Sequence, residues 1–488
     1  MKQLENIYAG TPHPITITIK NKGINNLTSC RIAYSVNGVV QPDTLWTGNL
    51  LEDFNDTITI GNYIPTANGY DTIKVWAILP NGMSDSTSIV DTLSTTIFGC
   101  NGPMNGVYYI GENSLYKTID DAFFLLSTCG INGDIEFALE SGRYEESWNF
   151  TDFGSAQLGK YKLTIRSAAM NADSVILVAQ SAQGILIKNT ENITFSHITI
   201  DCIEKNISKG VYFTGDATNV NISNCKILVD PTTSSNSYSP IYKASGTGIL
   251  TNCRINNNII DGGYYGIYMY AGTGQGAYGD ILIDSNIVTN QYYYGIYMYY
   301  SNEKIHANTV TSRINNTTSY WYGIRSYYCN GSATCNRIST LKSFTYPYGM
   351  YIYYCGDSTD RFLMSNNEIY VNSTSSYYGA YLGYSVMDVV HNSILADGMS
   401  TRALYISNSS TAYSYTVLNN LLVARGQSGY PIYLSSSTAA NLVPPVIDID
   451  YNCYYSPQYI GYAGGAKADL VAWTSTISTD IHSVNINP

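Results

Sequence analysis

The chain has 488 residues, 44% apolar and only 12% charged, with a formal net charge of −11. That length and apolar share can bury a continuous core and suggest more than one domain. The acidic balance offers no basic stripe to displace counterions, which argues against nucleic-acid binding. No apolar run reaches the ~18 residues of a membrane span. Tyrosine is in large excess, 47 against 11 Phe and 5 Trp, which suits surfaces that must be both aromatic and wet.

Residues 1–97 alternate apolar and polar in short runs (ITITIKN, CRIAYSVNGVV, TITIGNY, TIKVWAIL), with Gly and Asn between them. About seven such strands predict an immunoglobulin-like sandwich. Trp46 and Trp76 read as core or edge anchors, and Cys30 as a free thiol. The start, MKQLENIYAG, has no apolar signal region. The end, DIHSVNINP, stops without a polar cap, so the natural chain is expected to continue.

Residues 98–488 form the second predicted domain, entered through a linker at 98–106. A helix is predicted over about 117–128. Thr118 and Asp121 form a capping box there, and Ile119, Ala122, Phe123 and Leu126 share one face. Such a helix would cover the open end of a solenoid. DIEFAL and KLTIRS then open the first coils.

A repeat follows. It reads GIYMY at Gly266 and Gly295, GIRSY at Gly323, GMYIY at Gly349 and GAYLG at Gly379. Looser copies begin at Gly184, Gly210, Pro240, Ala403 and Pro431, and steps between copies run from 24 to 30 residues. A fixed period in this range marks a solenoid, and each copy alternates with strand periodicity. Between copies lies a β-branched run broken by Asn224, Asn252, Asn286, Asn308, Asn336, Asn367, Asn392, Asn420 or Asn452. Asn tolerates the left-handed backbone of a sharp bend, and stacked asparagines hydrogen-bond along a solenoid. Asn252 and Asn258 compete for one of these bends, and His197 falls at another. Three strands per coil predict an all-β chain: the sandwich, then a right-handed parallel β-helix of about 10–12 coils.

Stacked strands lie ~4.8 Å apart, close to disulfide Cα separations. Cys329 and Cys355 should therefore stack on adjacent coils, as should Cys225 and Cys253, while Cys100 and Cys129 flank the solenoid's start. All three pairs are disulfide candidates, with buried free thiols the alternative. No Cys cluster has metal-ligand spacing.

The run WTGNL … TIGNY … IKVWAILPNG … DTLSTT, followed by GVYYIG … YKTIDDAFFLLSTCGINGDIEFALESGRYEE, resembles Bacteroidota surface and secreted proteins. Those join an Ig-like module (CARDB type) to a right-handed β-helix of the pectate-lyase superfold. The resemblance implies export and an extracellular or cell-surface location. It also implies O-glycosylation at Asp-Ser/Thr triplets, here Thr44, Thr57, Thr72, Ser86, Thr92, Ser174 and Ser358.

Fold alone does not decide activity. The outward face of the Gly-Tyr sheet has no carboxylate in its two main columns, whereas hydrolysis needs paired carboxylates and a lyase needs an acidic Ca²⁺ site with a base. Arg325 and the cluster Asp357, Asp360, Arg361 are the least unsuitable catalytic residues. Lys304 and His306 share a strand face without a partner. No catalytic residue, metal or cofactor is assigned. The predicted working surface is Tyr212, Tyr242, Tyr268, Tyr270, Tyr297, Tyr299, Arg325, Tyr327, Tyr351, Tyr353, Tyr381, Tyr405 and Tyr433, with Arg325 a cation–π member of the ladder. The expected function is that of an extracellular non-enzymatic adhesin, filament or sheath subunit, using this face for self-association or glycan contact. The alternatives are a polysaccharide lyase or a glycan-binding module.

Overall fold

The computed structural model describes residues 7–84, 92–271, 279–439 and 446–488. It divides into two compact units: residues 1–107 with 116–135, and residues 108–115 with 136–488.

The first unit has seven antiparallel strands in two sheets. His13–Lys20 pairs with Asn55–Tyr63. Leu27–Val36 lies between Thr44–Leu50 and Gly69–Ile78, and Gly69–Ile78 also pairs with Thr92–Gly99. Alternation turns Ile15, Ile17, Ile32, Tyr34, Trp46, Ile60, Ile73 and Val75 into one core, with Cys30 a buried free thiol among them. Asp71 is almost fully buried but saturated: Tyr63 Oη, the Thr66 amide and hydroxyl, and Asn37 Nδ2 all donate to it. The predicted helix forms at Ile119–Cys129, with the reciprocal Thr118–Asp121 capping box in place. Cys100 and Cys129 are disulfide-bonded.

The second unit is a parallel β-solenoid. Its strands stack into two 13-stranded sheets and one 14-stranded sheet, more than the repeat count suggests, because strands at both ends lie outside the ten repeat copies. Each coil visits the tyrosine sheet, turns a corner, crosses the second sheet, bends at an asparagine, crosses the third, and returns through a loop of variable length. The coil from Tyr294–Tyr299 through Ser301–His306 and Thr309–Ser312 to Tyr320–Tyr327 is typical. Rung glycines permit close stacking: a Cβ on Gly323 would sit 2.4 Å from Ile338 Cγ2 and 2.6 Å from the Gly349 oxygen.

The asparagines do not act as the repeat implies. The left-handed residue is the one before each bend asparagine: Ser285, Ala307, Cys335, Asn366, His391 and Asn419 all have φ of 53–59°. The asparagine itself is buried. In Asn308, Nδ2 donates to Asn336 Oδ1 (3.0 Å) and to the Ile283 oxygen (3.0 Å), and the backbone N–H donates to the same Asn336 Oδ1 (3.0 Å). The pattern links Asn258, Asn286, Asn308, Asn336, Asn367, Asn392, Asn420 and Asn452. Asn258, not Asn252, is the ladder member. Asn224 is the left-handed residue of its bend, whereas Asn252 is a left-handed residue within the second sheet, its Nδ2 donating to Asn219 Oδ1; neither belongs to the buried ladder. His197 is left-handed too, at the corresponding bend.

This register separates Cys225 from Cys253. The Cys225 amide donates to Asn258 Oδ1, whereas Cys253 stacks on Ile281 in the second sheet, and both thiols are free. Cys329 and Cys355 do stack, but as thiols. The Cys329 amide donates to Cys355 Sγ (3.4 Å) and the Cys355 amide to Ser385 Oγ (3.0 Å), so each sulfur or hydroxyl serves as acceptor for the neighbouring coil.

Among the described residues two carboxyls of the solenoid are fully buried, Asp480 near its C-terminal end, where Tyr454 Oη and Trp473 Nε1 donate to it, and Glu303 in its middle. Glu303 takes the inward position that Ile281 holds one coil earlier. It is fully buried between the Ser301 and Ser326 hydroxyls, and burial pushes it well above the usual carboxylate range.

Two expectations follow. Replacing Asn336 with Ala strands the buried Asn308 amide and should cost about 1–3 kcal/mol in denaturant unfolding, whereas exposed Asn252→Ala should cost below about 1 kcal/mol. Equal effects would contradict the ladder register. Glu303 holds its proton more tightly folded than unfolded. Its contribution is therefore complete below the unfolded carboxylate value and lost as pH rises toward the folded one. Glu303→Gln should then raise the melting temperature at neutral and alkaline pH but not near pH 4. A variant that is destabilised at pH 8 would contradict this assignment.

Candidate functional site: the tyrosine face

The tyrosine sheet places like residues on like. One outward column runs Leu186, Tyr212, Tyr242, Tyr268, Tyr297, Arg325, Tyr351, Tyr381, Tyr405, Tyr433, Tyr462. A second runs Tyr270, Tyr299, Tyr327, Tyr353, Gly383. The structure thus brings every tyrosine singled out in the sequence, and Arg325, onto one face. A third column, of residues before the rung glycines, adds Tyr265, Tyr294, Tyr322, Tyr348, Tyr378, Arg402 and Tyr430.

Most neighbouring rings are stacked along the columns, Tyr268–Tyr297 meeting edge to face at 65° and Tyr212–Tyr242 tilted at 45°. Centroids are 4.8 Å apart for Tyr242–Tyr268, 4.9 Å for Tyr351–Tyr381, 5.2 Å for Tyr405–Tyr433 and 4.3 Å for Tyr433–Tyr462, with interplanar angles of 3–18°. Tyr299–Tyr327 and Tyr327–Tyr353 repeat this at 5.2 and 5.4 Å. Each pair adds ~0.5–1.5 kcal/mol beyond its buried area. Rings stacked this way cover each other's faces and leave edges and hydroxyls outward.

A corner column was not visible in the repeat. Tyr300, Tyr328, Tyr354 and Tyr384 occupy the turn out of the tyrosine sheet with φ of 46–55°, and stack at 5.3, 4.9 and 5.3 Å. Left-handed backbone is unusual for an aromatic residue. The doublets YY at Tyr299–Tyr300 and YYC at Tyr327 and Tyr353 could have signalled three of the four, but not Tyr384, which follows a glycine.

Arg325 sits inside the ladder. Its guanidinium lies 4.9 Å from the Tyr297 ring centre and 5.1 Å from that of Tyr351, with Tyr294, Tyr322 and Tyr327 at 5.5–5.7 Å. It donates to Tyr294 Oη at 2.8 Å. Arg402 repeats the arrangement over Tyr433 (4.7 Å) and Tyr378 (5.5 Å). Lys209 does so over Tyr242 (4.9 Å) and Tyr212 (5.6 Å).

The other sequence candidates do not converge. Asp357 closes its own turn, accepting from the Thr359 amide and hydroxyl and the Asp360 amide, which hold its carboxyl low, at about 2. Arg361 pairs instead with Asp388 (2.8 Å) and donates to Ser414 and Thr416 on the second sheet. Lys304 and His306 lie on that sheet too, with His306 Nδ1 2.9 Å from the Thr334 hydroxyl. Of the triplet residues, Thr57, Thr92 and Ser358 are exposed and Thr72 is half-buried. Thr44 and Ser174 spend their hydroxyls on backbone oxygens, and Ser86 lies outside the described residues. A buried lysine was also missed: Lys243 faces inward, donating to the Ala244, Thr247 and Gly248 oxygens, and burial lowers it to about 8.

None of the thirteen strands of the tyrosine sheet contains Asp or Glu. Among the described residues no group of three or more His, Cys, Asp or Glu could hold a metal ion, and no helix is long and apolar enough to cross a membrane.

No family model and no curated protein matches the chain. Among solved structures it is similar to a pectin methylesterase from Erwinia chrysanthemi, with TM-score 0.33 and 11% identity over 56% of this chain and 80% of that one. It is also similar to a GH136 lacto-N-biosidase from Eubacterium ramulus (TM-score 0.34, 11% identity, 73% and 67% covered). A family 28 exopolygalacturonase from Yersinia enterocolitica gives TM-score 0.24 and 9% identity, with 93% and 92% covered.

Burial raises the ladder phenols, Tyr293 and Tyr297 to about 12 and Tyr322, Tyr348 and Tyr351 further. Folded tyrosines thus hold protons more tightly than unfolded ones, and stability should fall as pH climbs past the free-phenol value of about 10. In an alkaline titration the phenolate absorbance should lag behind free tyrosine and rise together with loss of structure. Full ionisation near the free value, with the solenoid intact, would contradict the packing described.

Proposed function

We propose that the tyrosine sheet is a binding face for an extended polysaccharide, which the protein holds without cleaving. The observation that carries this reading is a continuous aromatic face, rich in hydroxyls, whose strands contain no carboxylate. Tyrosine offers large contact area at low conformational cost, and an aromatic field of this extent exceeds what monomers usually expose. Tyrosine hydroxyls at rung spacing can meet sugar hydroxyls along a chain. Glycosidic cleavage on this sheet would need paired carboxylates.

On this reading the chain works outside the cell, as an exported surface protein of Bacteroidota type, and its N-terminal unit is an Ig-like spacer. The sequence resemblance supports both, and with them modification at the exposed Thr57, Thr92 and Ser358. The same face offers a second reading, association between copies, since an aromatic field of this extent also suits a protein partner.

Tyr297→Ala and Tyr351→Ala should each weaken retention in polysaccharide affinity gels. Each removes a few stacked pairs, at ~0.5–1.5 kcal/mol per pair, and should leave the solenoid folded by circular dichroism. Release of reducing ends or unsaturated products from the same polymers would overturn the non-cleaving reading. Unchanged retention by both variants, with concentration-dependent sedimentation of the parent chain, would favour self-association.

A further inference from the structure

The charges in the tyrosine sheet are of one sign. Its thirteen strands contain Lys188, Lys209, Lys243, Arg325, Arg402 and Lys467 and no acidic residue, in a chain with 36 Asp and Glu against 25 Lys and Arg. Lys243 is turned into the core. Lys209, Arg325 and Arg402 stand in the aromatic field, and none of them takes part in an ion pair among the described residues.

Their partners leave the charge uncompensated. Lys209 donates to the Ser237 oxygen, Arg325 to a tyrosine hydroxyl and Arg402 to the Ser376 oxygen. Nε of both arginines is buried without an acceptor. Ring faces stabilise a cation by their quadrupole but do not neutralise it. Several other solenoid arginines are paired with carboxylates, as in Arg166–Glu136, Arg337–Glu368 and Arg361–Asp388. A partly desolvated strip of one sign focuses potential and attracts an anion.

The spacing sets the size of that anion. Lys209 and Arg325 are four rungs apart and Arg325 and Arg402 three, which at ~4.8 Å per rung is ~19 and ~14 Å. No small anion spans this. Nucleic acid, with a phosphate every few ångströms, demands a far denser array. We propose that the polymer held by the tyrosine face is an acidic polysaccharide, its carboxylate or sulfate groups placed over Lys209, Arg325 and Arg402. This rests on the polysaccharide reading of the face and specifies its ligand class.

The test uses the full chain and polymers of matched backbone: dextran, carboxymethyl-dextran and dextran sulfate. Affinity electrophoresis should show retention by one or both anionic polymers and none by dextran; the one retained more strongly identifies the anionic group. Release of two or three counterions should weaken binding roughly ten- to fortyfold between 50 and 200 mM salt. The double variant Arg325→Gln/Arg402→Gln should lose at least tenfold in affinity. Arg325→Lys/Arg402→Lys keeps the charge and should retain most of it, which separates charge from folding. Lys209→Gln, nearer the end of the face, should give a smaller loss in the same direction. Dextran retained as well as its anionic forms, and weakened by Tyr297→Ala, would overturn the anionic assignment while leaving the glycan face standing. Retention of no polymer would overturn both, as would DNA bound more tightly than any glycan. Anionic binding unchanged in the glutamine double variant would place the anion site elsewhere and overturn the proposal.

Discussion

Everything in the solenoid depends on parallel strands stacking in register. Each residue lies directly over its counterpart one coil away, at ~4.8 Å. That spacing makes side-chain identity cooperative. An asparagine is satisfied because another lies above and below it, and a tyrosine ring is covered because the next coil supplies a second ring. The same spacing makes the face polarised by composition. Whatever the sequence repeats becomes a continuous column, and whatever it omits, here the carboxylate, is missing from a surface many coils long.

Two kinds of column divide the work. The buried asparagine ladder satisfies the bends by hydrogen bonds that no other side chain of that size replaces, because one amide both donates and accepts. The tyrosine columns are half-buried and keep their polar ends outward, so they stabilise the sheet and also present a surface. A stacking ladder and a binding face are therefore not rival descriptions. The order that stacking imposes is what would let the hydroxyls and cations meet a polymer at fixed intervals.

The architecture was legible because strand alternation and a near-constant period survive in the tyrosine repeat from Gly266 to Gly379. The column containing Tyr268, Tyr297, Arg325 and Tyr351 follows from that period directly. The bends were less legible. A bend is two residues, a left-handed one and a buried ladder residue, and asparagine suits both. Asn252 and Asn258 looked equivalent, although Asn252 is a left-handed residue within the second sheet, and the bend itself is Asn257 followed by the buried Asn258. The misplacement of Cys225 against Cys253 followed from that slip. Cys329 and Cys355 were aligned correctly, but stacking leaves each sulfur a neighbour's hydrogen-bond acceptor. Arg402 and Lys209 escaped notice because they lie outside the Gly-x-Tyr string, in the column before it. Glu303 and Lys243 were hidden because inward positions are apolar in most other coils. The N-terminal strands were legible in number, and their two-sheet arrangement follows from alternation around Ile15, Ile32, Trp46 and Ile73.

The central claim, that one face of one sheet meets the ligand, is open to direct test by hydroxyl-radical footprinting of the tyrosines with and without a retained polysaccharide. The account predicts protection concentrated at Tyr268, Tyr297, Tyr351, Tyr381 and Tyr405, with Tyr370 and Tyr455 of the third sheet and Tyr109 unchanged. Protection spread evenly over all sheets, or confined to the third, would contradict it.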